Sequence, residues 1–281
     1  MDVREVDVAE ITEAVRRLCI EANTELDPDL LDAYARARDN EESPLGRDIL
    51  GKMLENAAIA RQEKLPACQD TGMALVFLDL GQDVHLVGGD LTRAVDEGVR
   101  RGYAQGRFRA STLDPVTRRN PGDNTPAVLH LRLAPGRDIG LTVMPKGFGG
   151  ENFSRVRLFP PAAGLEGVRR FVVETVDLAG SRPCPPVIVG VGLGGTLELA
   201  ALTAKRSLLR PMGRRNPDPD LAALEMELLQ AVNRLGIGPQ GLGGRTTALD
   251  VRVDTTPTHI GSLPVAVNLQ CHCHRHASCT L

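Results

Sequence analysis

The hydrophobic pattern of the chain changes near residue 65, and this change limits the folds that it can adopt. Over residues 8–22, apolar side chains recur with a helical period of about 3.6, which predicts an amphipathic helix with one buried stripe. Two more helices are predicted to begin at Pro28 and Pro44, because proline is tolerated in the first helical turn, and Ser43 is expected to cap the latter. Beyond residue 65, short apolar runs typical of strands alternate with helical segments.

This order of segments predicts an α/β fold. The predicted strands cover residues 74–80, 85–89, 127–134, 139–147, 185–195, 247–255 and 263–271. The predicted helices among them cover residues 92–105, 168–180, 196–209 and 218–235. A helical N-terminal layer over residues 1–65 is therefore expected, followed over residues 66–281 by a mixed sheet or sheets with flanking helices, all in one domain of residues 1–281. The polar stretch 107–126 has neither pattern, and loops of that length are usually functional or mobile.

Composition argues against several classes of partner. The formal net charge of −3 argues against nucleic acid or an anionic membrane as the main partner. The chain has no Trp, two Tyr and six Phe, so aromatic platforms for stacked bases are scarce. No apolar run approaches the roughly 20 residues of a membrane span, and the charged, amphipathic N-terminal segment does not resemble a signal peptide. We therefore expect a cytoplasmic protein with no nucleic-acid or membrane partner.

Three of the six cysteines lie in glycine- and proline-rich turns beside predicted strand ends, namely Cys68, Cys184 and Cys271. The six are too few and too unevenly placed for a disulfide scaffold, which indicates reduced thiols. Three thiolates without a fourth are what a [4Fe–4S] cluster needs if one iron is to stay open for substrate. Cys19, by contrast, falls on the apolar stripe of the first helix, and we predict that it is a core residue.

Two other motifs allow functions of different classes. Residues 190–195 match G-x-G-x-x-G between a strand and a helix, the fingerprint of dinucleotide-binding folds. Some 20 positions later lie Arg214 and Arg215 instead of the acidic residue of that fold, and a tight strand-to-helix turn explains the glycines more simply. The tract CHCHRHASC (271–279) is rich in zinc-ligand types but fits the usual ligand spacings only in part. If it continued as a strand, its first histidines and cysteines would alternate between two faces. A nucleotide-binding module and a zinc-binding module therefore remain alternatives.

Three polar residues near these turns are candidates for acid–base work or substrate binding. His259 lies in a turn between two strands that lead back to Cys271, where a structural role and general acid–base work are equally plausible. Asp70, two residues from Cys68, is the carboxylate nearest to a candidate thiolate, and its ordinary role would be that of a turn residue. Arg109 has the geometry to bind a carboxylate bidentately, although most dispersed arginines are simply solvated.

Taken together, five segments resemble the α subunit, or N-terminal half, of the iron–sulfur-dependent class I fumarate hydratases and L-tartrate dehydratases. The segments occur in the same order as in that family and span nearly the whole chain. No single segment identifies the family, but the combination does. The segments are residues 66–72 (PACQDTG), 146–152 (KGFGGEN), 184–195 (CPPVIVGVGLGG), 236–245 (GIGPQGLGGR) and 258–272, which begins THIG and ends VNLQCH.

The resemblance implies a cofactor and a set of substrate contacts. It implies that Cys68, Cys184 and Cys271 hold a [4Fe–4S] cluster with one open iron, which binds a dicarboxylate. The substrate contacts that it implies are Gln69, Asp70, Arg109 and the backbone of Gly149. Asp70 and His259 are our candidates for proton transfer, and the matching histidine of the family enters the site of the neighbouring protomer.

The resemblance also implies an assembly. Single-chain members of the family carry a second domain that contributes further groups to the substrate, and this sequence stops at Leu281. A separate β subunit is therefore expected, with α chains pairing inside an α₂β₂ heterotetramer. The expected reaction is the reversible hydration of fumarate to L-malate, with L-tartrate dehydration as the alternative. Cys273 and Cys279 have no counterpart among the ligands of the family.

Overall fold

The computed structural model describes residues 3–281, and its strands and helices alternate along most of that range. In chain order they are β1 Arg4–Asp7, α1 Val8–Thr24, α2 Pro28–Asn40, α3 Pro44–Glu63, β2 Met73–Gly81, β3 Val84–Val87, α4 Leu91–Gln105, β4 Val128–Ala134, β5 Ile139–Lys146, α5 Phe148–Glu151, β6 Arg155–Phe159, α6 Gly164–Ala179, β7 Val187–Gly195, α7 Leu197–Ser207, α8 Pro219–Asn233, β8 Ala248–Thr258, β9 Leu263–Gln270 and β10 Ala277–Thr280.

These elements confirm the α/β fold class and most of the segments expected from the sequence. One expectation was wrong: residues 4–7 were assigned to the helical N-terminal layer, but they form β1, which pairs in parallel with β3. The sequence pattern also missed α5, β6 and β10. Each of these segments has only four or five residues, so it carries too few repeats of either period for the pattern to identify it.

The elements group into two compact units. Unit 1 comprises residues up to Asp27, residues 56–147 and residues 275–281, and unit 2 comprises residues 28–55 and 148–274. The boundary between them falls within α3, between Glu55 and Asn56. At the start of that helix the Ser43 hydroxyl accepts a hydrogen bond from the Gly46 N–H at 3.2 Å, so the expected cap is confirmed.

Unit 1 is built on a four-stranded sheet with the order β10-β5-β2-β4. β4 runs parallel to β2, whereas β5 is antiparallel to β2 and β10. The buried stripe of α1 faces the core of this unit, and Cys19 lies on it with no exposed surface. Burial raises the pKa of the Cys19 thiol to about 12, so this cysteine stays a neutral core residue, as predicted.

Unit 2 is built on a second four-stranded sheet with the order β6-β9-β7-β8. β8 runs parallel to β7, whereas β9 is antiparallel to both β7 and β6. One face of β7, which includes Val189 and Val191, packs into a core with residues of α6 and α8. The other face of β7 packs against α7.

A buried ionic network holds the linker between α7 and α8 against β8. Glu225 of α8 has no exposed side-chain surface and pairs with Arg210 and Arg215 of the linker. Its carboxylate also accepts hydrogen bonds from the backbone N–H of Val253 at 2.8 Å and of Asn216 at 3.0 Å. Arg210 also pairs with Asp254 and Arg215 with Asp250, so neutralising Glu225 would leave both arginines paired but would weaken the hydrogen bonds made to a fully buried carboxylate.

We therefore expect Glu225→Gln to lower the free energy of unfolding by about 2–3 kcal/mol, the usual effect of losing hydrogen bonds to a buried charged group. The matched control is Glu227→Gln, two residues along the same helix, where the pair with Arg169 is solvent-exposed. Glu227→Gln should lower the free energy of unfolding by less than about 1 kcal/mol. Urea denaturation would measure both changes, and equal effects of the two substitutions would contradict this account.

Candidate functional site

Cys184 and Cys271 lie in adjacent turns of unit 2. Cys184 precedes β7 and has a positive φ of 54°, and Cys271 directly follows β9. The register of the antiparallel pair sets Ile188 opposite Gln270, so the start of β7 lies beside the end of β9. Beyond the paired strands, the His272 N–H donates a hydrogen bond to the Cys184 carbonyl oxygen at 3.1 Å. Both thiols are partly exposed, so the structure brings these two predicted ligands together in accessible positions.

The glycine-rich loop 236–245 supports the Cys184 turn. The backbone N–H of Gln240 donates to the Pro185 carbonyl oxygen at 2.7 Å, and its side-chain amide donates to the same oxygen at 3.2 Å. Gly241 has a φ of 77°, and a Cβ on it would lie 2.1 Å from the Cβ of Ser181. Only glycine allows so close an approach with that backbone conformation.

Glu41 fixes the far end of the same loop. Its side chain is 3% exposed and accepts hydrogen bonds from the backbone N–H of Arg245 at 2.9 Å, of Thr246 at 3.1 Å and of Ser43 at 3.1 Å. Burial alone would raise the pKa of this carboxyl, but these hydrogen bonds outweigh it and the net effect lowers the pKa. The loop is therefore held between an ionised carboxylate and the turn that carries Cys184.

Gly149, a predicted substrate contact, lies beside the same turns. A Cβ on Gly149 would lie 3.5 Å from the Arg182 carbonyl oxygen, two residues before Cys184. On the neighbouring Gly150 it would lie 2.4 Å from the Leu269 carbonyl oxygen, in the strand that leads to Cys271. The α5 turn therefore packs its backbone against both cysteine-bearing segments.

In unit 1, Cys68 lies with the other predicted substrate contacts. Its Sγ is 3.4 Å from Oε1 of Gln69. The Thr71 hydroxyl donates to the Arg109 carbonyl oxygen at 2.9 Å, which ties the 107–126 loop to the turn that carries Cys68. Cys68, Asp70 and Arg109 are therefore neighbours within one unit, although the last is distant in sequence.

Asp70 forms the hydrogen bond expected of a turn residue, and its side chain is also partly exposed. Its Oδ1 accepts a hydrogen bond from the Gly72 N–H at 3.1 Å, which is the turn-forming contact expected of an aspartate. Its Oδ2 faces Gly147, where an added Cβ would lie 3.2 Å away. The absence of a side chain at Gly147 therefore leaves room beside this carboxylate.

Asn124 also holds this region, although no sequence motif distinguishes it. It is fully buried, and its Oδ1 accepts from the backbone N–H of Ser111 at 2.7 Å and of Thr112 at 3.1 Å. Its Nδ2 donates to the Gly72 carbonyl oxygen at 3.1 Å. One asparagine in a long polar loop carries no distinguishing pattern, although its φ of 61° is one that asparagine tolerates well.

His259 lies apart from the cysteines of unit 2. It is exposed in the turn between β8 and β9, where its Nδ1 accepts from the Gly261 N–H at 3.1 Å. Cys271 follows the opposite end of β9, and a strand of eight residues spans about 26 Å. Within one chain, His259 therefore does not join the site of Cys184 and Cys271.

The glycine motif at 190–195 has a packing role. A Cβ on Gly190 would lie 2.1 Å from the Ala204 carbonyl oxygen, and one on Gly192 would lie 2.1 Å from the Ala200 carbonyl oxygen. These two glycines alternate onto the face of β7 that packs against α7, so they let the helix approach the strand closely. Two helices, α7 and α8, separate β7 from the parallel strand β8, whereas the dinucleotide fingerprint has a single helix between its strands.

The C-terminal tract does not continue as a strand. β9 ends at Gln270, residues 271–276 form a turn in which the His274 N–H donates to the His272 carbonyl oxygen at 2.7 Å, and β10 begins at Ala277. The alternation expected of a continuous strand is therefore lost. Over residues 3–281 no three His, Cys, Asp or Glu side chains form a group that could hold a metal ion.

Comparison with known proteins identifies relatives over nearly the whole chain. The family model for fumarate hydratase (Fumerase) matches residues 12–280. A putative L(+)-tartrate dehydratase subunit alpha of Methanocaldococcus jannaschii is 38% identical over 275 residues, which cover 95% of this chain and 96% of the relative. The L(+)-tartrate dehydratase subunit alpha of Escherichia coli strain K12 is 32% identical over 275 residues, which cover 96% of this chain and 90% of the relative.

The packing role of the glycine motif can be tested by substitution. We expect Gly192→Ala to lower the free energy of unfolding by about 3 kcal/mol, because the added methyl group would meet backbone atoms of α7 that cannot rotate away. Gly51→Ala in α3 is the control, since a Cβ there meets nothing within 4 Å. It should raise stability by about 1 kcal/mol. Thermal or urea unfolding measures both, and an unchanged Gly192→Ala protein would refute the packing role.

Proposed function

The chain belongs to the fumarate hydratase (Fumerase) family, and from that membership we propose its function. It is the α subunit of an iron–sulfur hydro-lyase that interconverts fumarate and L-malate together with a separate β subunit. The relatives with subunit alpha in their names support the division into two kinds of chain. The match over residues 12–280 supports treating residues 1–281 as one functional α-type domain.

The observation that carries the proposal is the position of three cysteines. Cys68, Cys184 and Cys271 each lie outside the helices and strands and are partly exposed. The other three differ: Cys19 and Cys273 are buried, and Cys279 lies in a strand that pairs with β5. We therefore assign the cluster ligands to the first three.

The surroundings of Cys271 fit a bound polar group. Gln270 is 1% exposed, and neither atom of its side-chain amide has a hydrogen-bond partner among the residues that the structure describes. Buried amides are normally satisfied, so this one suits a group bound beside Cys271. Thiolates are the protein ligands of iron–sulfur clusters, and three of them suit a [4Fe–4S] cluster with one open iron.

When bound, such a cluster would supply a Lewis acid for the oxygen atoms of a dicarboxylate. The residues of the chain would do the rest. The Arg109 guanidinium and the Gln69 amide would bind a carboxylate and hold the alkene in place, with backbone of Gly149 as a further contact. Hydration adds a hydroxyl group to one alkene carbon and a proton to the other. We assign that proton transfer to Asp70 and His259.

The position of His259 supports pairing of α chains. Because this residue lies at the far end of β9 from Cys271, it would not reach a group held by the cysteines of its own chain. We propose that it acts in the site of a second α chain, within an α₂β₂ assembly.

Two further points complete the proposal. L(+)-Tartrate is the second candidate substrate, because the relatives named above are tartrate dehydratase subunits. A reducing, cytoplasmic environment suits the six cysteines, which are too few and too unevenly placed for a disulfide scaffold. Among residues 3–281, no helix has the length and apolar character needed to cross a bilayer.

The function is tested by anaerobic co-purification with the β subunit. We expect about four iron and four sulfide per α chain and hydration of fumarate to L-malate. Cys271→Ser should abolish both, because it removes one of three thiolates. Cys279→Ser is the matched control and should abolish neither. A preparation without sulfide, or a Cys271→Ser protein with its full cluster absorption, would contradict the proposal; L(+)-tartrate as the better substrate would favour the second candidate.

The role of His259 is tested by complementation between chains. Cys271→Ser and His259→Asn proteins should each be inactive alone. A hybrid with one chain of each kind should regain activity, because one of its sites combines intact cysteines with an intact histidine from the other chain. Differently tagged subunits allow the hybrid to be purified. An inactive hybrid that still holds one cluster, on its His259→Asn chain, would mean that His259 acts within its own chain.

A further inference from the structure

Both tyrosines of the chain are buried, and both donate their hydroxyl hydrogen to a turn that follows a proposed cluster ligand. Tyr34 is 0% exposed and Tyr103 is 2% exposed. Resting on the function proposed above, we infer that the two hydroxyl groups are positioning groups, which fix the turns of Cys271 and Cys68 before any metal binds.

Tyr34 is linked through one residue to the turns of both proposed ligand cysteines of unit 2, Cys184 and Cys271. Its hydroxyl, carried by α2, donates to the His272 carbonyl oxygen and lies 3.3 Å from His272 Nδ1. His272 directly follows Cys271, and its own N–H donates to the Cys184 carbonyl oxygen at 3.1 Å. A single buried hydroxyl group therefore holds the residue that links the two turns.

Tyr103 has the same relation to Cys68 in unit 1. Its hydroxyl, carried by α4, donates to the Thr71 carbonyl oxygen at 2.6 Å and lies 3.2 Å from that of Gly72. Its ring packs edge-on against Phe108, with the ring centroids 5.6 Å apart, which fixes the direction of the hydroxyl. Burial raises the pKa of the Tyr103 hydroxyl, so it stays protonated and remains a hydrogen-bond donor.

The other side of the Cys68 turn is also fixed at its backbone. The Ala67 N–H donates to the Asn23 carbonyl oxygen at 2.9 Å, and the Asn56 side-chain amide donates to the Ala67 carbonyl oxygen at 2.9 Å. Residues 68–70 are therefore held from Ala67 on one side and from Thr71 on the other. Their side chains can then face a ligand while the backbone stays in place.

These contacts need tyrosine and not merely an aromatic ring. The acceptors are carbonyl oxygens of turns, which lie outside the helix and strand ladders and must be satisfied by other donors. Phenylalanine would fill the same space and leave the carbonyl without that donor. Because Tyr103 acts on the turn of Cys68 and Tyr34 on the linked turns of Cys184 and Cys271, the loss of either hydroxyl should disturb one set of thiols and spare the other.

The test uses Tyr34→Phe and Tyr103→Phe in the full-length chain, with Thr175→Val as control. Thr175 is 0% exposed and donates its hydroxyl to the Phe171 carbonyl oxygen at 2.7 Å, so its substitution removes an equally buried hydrogen bond that lies within α6 and not at a cysteine turn. The first readout is the alkylation rate of each thiol in metal-free, folded protein, resolved by mass spectrometry. The second is iron and sulfide content after anaerobic reconstitution, with the electron paramagnetic resonance spectrum of the oxidised cluster.

We expect Tyr103→Phe to raise the alkylation rate of Cys68 about five- to tenfold, the effect of one lost hydrogen bond, with Cys184 and Cys271 unchanged. Tyr34→Phe should raise the rates of Cys271 and Cys184 and leave Cys68 unchanged. Both should lower cluster retention and alter the spectrum, and Thr175→Val should do neither. Equal changes at all thiols, or changes matched by Thr175→Val, would indicate general destabilisation and overturn the inference.

The result also separates this inference from the proposed function. A wild-type α subunit without iron and sulfide would overturn the function, and the alkylation pattern of the metal-free chain would still decide whether the hydroxyls hold the turns. A wild-type chain with its full cluster, together with wild-type alkylation rates in both tyrosine variants, would overturn the inference alone.

Discussion

The antiparallel pairing of β7 with β9 is the constraint on which the candidate site of unit 2 depends. It sets the start of one strand beside the end of the other, so Cys184 and Cys271 become neighbours despite their separation in sequence. The same strand carries His259 to its opposite end. The register of this strand pair therefore places the two thiols close together and His259 far from them. A slip by one residue would turn the buried side chains of β9 away from the core.

Close backbone packing secures that pairing and the turns beyond it. Gly190 and Gly192 let α7 lie against β7, Gly150 meets the carbonyl oxygen of Leu269, and Gly241 meets Ser181. Each contact is between atoms that cannot rotate away, so the position of the backbone is tightly determined. The hydrogen bonds from Gln240 and from the donors around Glu41 then extend the same rigidity to the loop that supports Cys184.

Most of the fold could be predicted from the sequence, because its longer helices and strands carry several repeats of their period. The stripe of α1 and the apolar run of β7 were clear for this reason, whereas β1, β6 and β10 were too short to identify. The candidate ligand cysteines could be predicted because Cys68, Cys184 and Cys271 lie in sequence segments that resemble those of a known family. The residues that hold the turns in place could not be predicted. Tyr34, Asn124 and Glu41 act through contacts with residues distant in sequence, and no local sequence pattern marks such a contact.

The exposure of the three turn cysteines explains why their support comes from the backbone. A metal-binding cysteine must lose its proton, and burial opposes this, as it does at Cys19, whose pKa is raised to about 12. A ligand cysteine therefore lies in a partly exposed turn, where it also becomes open to oxidation. Side-chain packing cannot hold such a residue in place. The backbone on either side must do so, through carbonyl and amide groups that buried side chains such as Tyr103 can reach.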